Sequence, residues 1–361
     1  MSKLKIFKEE LLLKGADAAL ISSPLNQRYL TAFDYQDGYI LVTKTDAFLL
    51  ADFRYIEAAQ RALGDTEFTV IRPCGSMLIE LSSLLEECGA KTLLIEEEAV
   101  SCAELEKYKK AFGDNLGIFS GASAILSKMR QIKSADELMK INEAQKITDA
   151  AFEHILKVMT PSMTEIEVAL ELEFFMRRNG AEGIAFDTIA VSGSASSMPH
   201  GVPRNKKLER GFLTMDFGAK YEGYCADMTR TVVIGKADAE MKRLYNTVLR
   251  AQCAAIEIYR EGASCFMLDK CARDIINEAG YEGCFGHSLG HGVGMLVHED
   301  PRLSPAAKGD SCLKRGNVTS VEPGIYVSEK YGCRIEDLLA IDLDVGTLNL
   351  TKSPKELIEL F

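Results

Sequence analysis

No run in this chain approaches the ~20 consecutive apolar residues that a membrane-spanning helix needs, so no membrane association is expected. Cys-x-x-C pairs are absent, and the ten cysteines are scattered. A chain of 361 residues buries enough surface to fold without disulfide staples, so reduced thiols are expected. Residues 1–15 read as a short amphipathic helix with charges throughout, and they lack the long apolar stretch of an export signal. A cytoplasmic location is therefore expected. Positive charge is in deficit, with 42 Lys and Arg against 53 Asp and Glu, a net charge of −11. A nucleic-acid binder carries a basic face. The short basic cluster from Arg204 to Lys207 reads instead as a solvated loop, and no nucleic-acid partner is expected. Histidine is scarce as well: there are five, His154, His200, His287, His291 and His298. Three of the five fall within twelve residues, which marks 287–298 as a place for chemistry.

What is present is an ordinary globular balance, 47% apolar and 26% charged, which excludes a disordered chain. The length allows two domains. Short apolar runs at 16–22, 39–43, 47–52, 67–72 and 91–97 alternate with helical patterns at 53–63, 77–89 and 103–112. That alternation predicts an α/β domain over residues 1–128. Ser134 and Glu137 form a capping-box pattern ahead of a long helix, which opens a second domain over 129–361. Another helix, starting at Thr164, ends at Gly180. Strands follow at 187–193, then a hairpin of 212–218 with 223–235, two helices, a Gly-rich stretch at 283–294, and a second hairpin of 317–327 with 333–342. This is an α+β pattern with antiparallel sheets.

Both hairpins are acidic. A regular ladder centred between Tyr221 and Glu222 sets Asp216 opposite Asp227, and one centred on Glu329 sets Glu322 opposite Glu336. Met215, Phe217, Val321 and Ile335 mark these strands as buried. Burying uncompensated carboxylates is costly, so a neutralising partner is needed. Two divalent cations would cancel four carboxylates and could clamp a hydroxide with the oxygen under attack. One imidazole should complete the set. His291 in Gly-His-Gly is the candidate, its glycines giving the backbone freedom to reach a metal. Oxygen-rich ligation favours manganese, with cobalt, iron and zinc as alternatives.

The segments MDFGAKYEGYCADMTRT, HSLGHGVGMLVHE, VEPGIYV and RIED resemble the motifs of the creatinase-like, pita-bread metallopeptidases of family M24. SMPHG, NQRYLTAF and ADFRYIEAAQ resemble the Xaa-Pro dipeptidase and Xaa-Pro aminopeptidase branch. The resemblance implies a creatinase-type N-terminal α/β domain, a pita-bread catalytic domain and a homodimer. It implies two metal ions, with Asp216 on one, His291 and Glu322 on the other, and Asp227 and Glu336 bridging. Glu322 would also take and return a proton. His298 and His200 would stabilise the charged oxygen, and His200, His287, His298 and Arg334 would face a proline-containing peptide. Hydrolysis of the bond before proline by a bridging hydroxide is the implied reaction, by either the dipeptidase or the aminopeptidase. Tyr326 reads as packing, and His154 has no assigned role. An inactive binding module of this fold, or a creatinase-like C–N hydrolase, is the alternative, but all five ligand positions are retained.

Overall fold

In the computed structural model, which describes residues 2–308 and 310–361, the chain divides into two units, Met1–Met129 and Arg130–Phe361. The first unit holds strands β1 (Ala18–Ile21), β2 (Tyr39–Thr43), β3 (Ala47–Leu50), β4 (Thr69–Ile71), β5 (Thr92–Ile95) and β6 (Gly117–Ser120). They form one mixed sheet in the order β4-β3-β2-β1-β5-β6. All four residues of β1 are buried, as expected of a central strand between a parallel and an antiparallel neighbour. Its helices are α1 (Lys3–Leu13), α2 (Pro24–Thr31), α3 (Ile56–Leu63), α4 (Met77–Glu87), α5 (Cys102–Phe112) and α6 (Ala122–Gln131). Leu20, Leu41, Leu50, Leu81, Leu93 and Tyr108 share its core.

The sequence patterns did not reveal α2, β6 or α6. The buried face of α2 includes polar Asn26 and Gln27, so no apolar period betrays it. Gln27 is held inside because its side-chain amide donates to the carbonyls of Ile21 and Gly38, at 3.0 and 2.8 Å.

The second unit opens with α7 (Ala135–Val158), whose reciprocal Ser134–Glu137 capping box is formed as expected. Leu138, Ile141, Ala144, Thr148, Phe152 and Ile155 give it a buried stripe at helical spacing. Then come α8 (Glu165–Arg178), β7 (Gly183–Ile184), β8 (Ile189–Ser192), β9 (Gly211–Phe217), β10 (Ala219–Tyr221), β11 (Tyr224–Cys225) and β12 (Met228–Ile234). Helices α9 (Ala239–Glu257) and α10 (Cys265–Glu278) precede β13 (Gly290–Gly292), β14 (Glu299–Leu303), β15 (Val318–Val321), β16 (Gly324–Val327), β17 (Tyr331–Arg334), β18 (Asp337–Asp342), β19 (Gly346–Asn349) and β20 (Glu359–Leu360). The two larger sheets run β20-β12-β9-β8 and β14-β13-β15-β18-β19, and antiparallel pairing dominates both. Among the described residues no helix is long and apolar enough to cross a membrane.

One hairpin follows the expected register and one does not. Val321 pairs with Asp337 and Gly324 with Arg334, so the same register sets Glu322 opposite Glu336. In the first hairpin Asp216 pairs with Thr229, not Asp227. The turn is centred between Glu222 and Gly223, at φ 45° and 89°, one residue beyond the expected centre. A two-residue turn with both φ positive matches the twist of a hairpin, and glycine supplies the second position. Asp227 thus lies diagonal to Asp216, a shift of two that keeps both on one face.

Candidate metal centre

The two hairpins and β13 bring five expected ligands together. Asp216, Asp227, His291 and Glu336 are buried, and Glu322 is nearly so. Asp227, His291 and Glu336 each offer a ligand atom, all within 4.8 Å of one another. His291 Nε2 stands 3.1 Å from Glu322 Oε1 and 3.6 Å from Asp227 Oδ2. Its Nδ1 lies 3.2 Å from the Gly292 carbonyl, which can only accept, so Nδ1 carries a hydrogen and Nε2 faces the carboxylates. The glycines beside it do a different job from the one expected. A Cβ at Gly290 would lie 2.1 Å from the Ser320 carbonyl oxygen, and one at Gly292 would lie 2.2 Å from that of Asp300. Close approach of neighbouring backbone, not freedom of movement, requires glycine on both sides of His291.

The electrostatics are those of a site built for cations. Burial raises the pKa of Asp216, against the pull of Arg334. Burial and then the charge of Asp216 raise Asp227 well above the usual range, and burial and then the charge of Asp227 do the same to Glu336. Glu322 goes the other way: burial opposes its charge, but His291 outweighs that and holds it at about 2. His291 is lifted to about 9, with Glu322 overcoming the effect of burial. Asp216 Oδ1 and Glu336 Oε1 are buried with no hydrogen-bond partner. Orphaned carboxylate oxygens beside an imidazole nitrogen suit an oxygen-preferring divalent ion, which would satisfy them and favour the ionised carboxylates.

Behind the ligands lies a hydrogen-bonded chain. Buried Arg334 pairs with Asp216, donates through Nε to Thr229 Oγ1 at 2.9 Å, and donates through Nη1 to Tyr326 Oη at 2.7 Å. Thr229 Oγ1 donates to Glu336 Oε2 at 2.7 Å. Tyr326 Oη is 3.0 Å from His287 Nε2, while His287 Nδ1 donates to the Ser288 carbonyl at 2.8 Å. Burial lowers the pKa of His287 and pushes that of Tyr326 up to about 12, so both are neutral and the tyrosine hydroxyl donates to the imidazole. Tyr326, which reads as packing in the sequence, instead links Arg334 to His287 through its hydroxyl.

These groups open onto a cavity of about 510 Å³. His200, His287, His298 and Arg334 line it as expected, and so do Phe186, Val297 and Arg302. The rings of His298 and His291 meet edge to face, 4.3 Å apart. Burial first, then the charges of His291 and Arg302, lower His298 to about 4 and keep it neutral. Arg302 escaped the sequence reading. The sequence carried no signal for it; only the pairing of β13 with β14 sets it opposite His291. Among the described residues it has no carboxylate partner. His154 lies apart on α7, paired with Glu171 at 2.7 Å and stacked on Phe175.

Residues 139–342 match metallopeptidase family M24, and residues 3–132 match the creatinase/prolidase N-terminal domain. Over 344 residues the chain is 39% identical to the Xaa-Pro dipeptidase of Pyrococcus horikoshii, covering 95% of this chain and 94% of that one. It superposes on an Xaa-Pro dipeptidase from Bacillus anthracis with a TM-score of 0.94, at 38% identity and 99% coverage of both chains. An X-Pro aminopeptidase from Thermotoga maritima gives a TM-score of 0.90 at 38% identity, covering 98% of this chain and 99% of that one.

Proposed function

Because the chain belongs to metallopeptidase family M24 and is thereby a peptide hydrolase, we propose that it cleaves dipeptides whose second residue is proline. Its architecture is a creatinase-type N-terminal domain followed by a pita-bread catalytic domain. In this reading Asp216, Asp227, His291, Glu322 and Glu336 would together hold two divalent ions. Manganese is the first choice, ahead of cobalt, iron and zinc. Such ions, when bound, supply Lewis-acid polarisation and a water nucleophile at neutral pH.

The protein's own groups do the rest. Glu322 lines the cavity as an ionised carboxylate, placed to take the proton of the attacking water. As the bond to the carbonyl breaks, the leaving proline nitrogen needs a proton, and Glu322 returns the one taken from water. Neutral His298, with His200 beside it on the cavity wall, donates to the oxygen that gains charge. Arg334 fixes Asp216, and through Tyr326 it orients His287.

The observation that carries the dipeptide over a longer peptide is Arg302. A cation on the cavity wall without a carboxylate partner suits the free carboxylate of a C-terminal proline. An aminopeptidase has to leave that end open. The likeness to the Thermotoga maritima enzyme keeps the second reading in the test. Manganese-loaded protein should release proline from Ala-Pro and leave Ala-Pro-Ala intact. Cleavage of the tripeptide at a comparable rate overturns the dipeptidase assignment in favour of an aminopeptidase. The reading includes a homodimer, checked by light scattering, and a reducing cytoplasmic setting, with which ten unpaired cysteines agree.

A further inference from the structure

Helix α10 carries a polar pair, Asp269 and Arg273, whose acid lies on the helix's own buried face. Cys265, Leu268, Ala272 and Ile276 bury its apolar stripe. Asp269, one turn before Arg273, is fully buried and binds it with both carboxylate oxygens, at 2.8 and 2.9 Å. The remaining capacity of the pair goes to one loop. Arg273 Nη1 donates to the Phe285 carbonyl at 2.7 Å and Nη2 to the His287 carbonyl at 2.9 Å. Asp269 Oδ1 accepts the Leu289 N–H at 2.9 Å. Alternate residues of 285–289 are thus held by their backbone. The guanidinium also covers the Phe285 ring at 4.3 Å, and that ring stands perpendicular to His287 at 4.9 Å. The held loop meets the site twice more. The Glu322 N–H donates to the Leu289 carbonyl, and the Tyr326 N–H to the Cys284 carbonyl, at 2.8 and 2.9 Å.

We propose that Asp269 and Arg273 are positioning residues that set His287 against Tyr326, and so hold the far end of the chain running through Arg334 to Asp216. The geometry demands arginine. A planar fork pairs two N–H groups with the carboxylate and aims the others at two carbonyls, which a lysine ammonium cannot do. A buried ion pair is seldom needed for stability alone, since apolar replacements of similar volume are often neutral or stabilising. A group displaced by about 1 Å, by contrast, costs roughly a hundredfold in rate.

The proposal rests on the peptidase reading for its kinetic arm and on the loop alone for its second arm. Arg273→Met and Arg273→Lys are made in the full-length, metal-loaded protein, each with and without His287→Ala. We expect Arg273→Met to lower kcat on Ala-Pro roughly ten- to a hundredfold with KM little changed. In the His287→Ala background the same substitution should cost under about twofold, because residues that act through one another are not additive. Arg273→Lys should not restore kcat. Amide hydrogen exchange should quicken at 285–289 and stay unchanged in α10. Equal losses in both backgrounds, full activity of Arg273→Lys, or unchanged exchange at 285–289 overturns the proposal. Should Arg273→Met not fold, Arg273→Gln carries the same comparison. Should the wild-type protein cleave no Xaa-Pro substrate, the peptidase reading fails, and the exchange result alone decides the clamp.

Discussion

Replacing Asp227 by asparagine separates charge from shape. The side chain is buried, and burial together with the charge of Asp216 disfavours its ionised form. An amide of the same size removes that strain and also removes the charge proposed to hold a cation. We expect Asp227→Asn to keep its thermal midpoint in chelator, to lose bound manganese by elemental analysis, and to lose turnover. Wild-type metal content and turnover in that variant would remove the metal assignment. Arg302 is the sharper test of substrate. A charge-assisted bond to a carboxylate contributes about 1.5–3 kcal/mol, roughly a factor of ten to a hundred. Arg302→Gln should therefore raise KM for Ala-Pro by that factor while metal content stays constant, and an unchanged KM would show that the proline carboxylate lies elsewhere.

Elements decide whether such residues meet, and here the sequence was legible in some places and opaque in others. Glu322 and Glu336 were readable because the ladder runs regularly on both sides of them, with Glu329 at its centre. Asp216 and Asp227 were displaced by two because the turn chose Glu222 and Gly223, a choice set by backbone handedness and not by hydrophobic period. Tyr326 and Arg302 were opaque for another reason: their partners, Arg334 with His287 and the cavity wall, exist only after strands pair. Gly290 tests the same scale. Because the Ser320 carbonyl lies where its Cβ would go, Gly290→Ala has to push β13 from β15. We expect a loss of about 1–3 kcal/mol in denaturant unfolding, with metal affinity falling as His291 moves. In the first unit Asp17 ties the start of β1 to that of β5. It accepts from Lys44 Nζ at 2.6 Å and from the backbone of Lys91 and Thr92 at 2.9 and 3.0 Å. Lys44 first, then these N–H groups, hold its pKa below the usual carboxylate range, with burial pulling the other way. A depressed pKa gives stability that is full above about pH 4 and is lost as pH falls through the folded value. Asp17→Asn should cost about 1–2 kcal/mol at pH 7, with the gap to wild type closing in titrations below about pH 4.

At the scale of the whole chain, each unit has core clusters of its own, and every proposed ligand comes from the second. Burial and mutual repulsion disfavour the ionised forms of the acids at the meeting of the two hairpins, a cost that bound cations would relieve. An ion that binds only the folded state stabilises it by mass action, about 2.7 kcal/mol at a hundred times its dissociation constant. In a unit of this size that raises the melting temperature by roughly 5–10 °C. Hydrogen exchange with and without manganese should locate the effect. Protection should rise in β9, β12, β13, β15 and β18, while amides of β1 to β6 exchange at the same rates in both states. An equal rise across both units would mean that the first unit shares in binding. No rise in either would place the cation elsewhere and leave the orphaned oxygens of Asp216 and Glu336 to be satisfied by protonation, in a protein whose thermal midpoint then falls as the pH is raised.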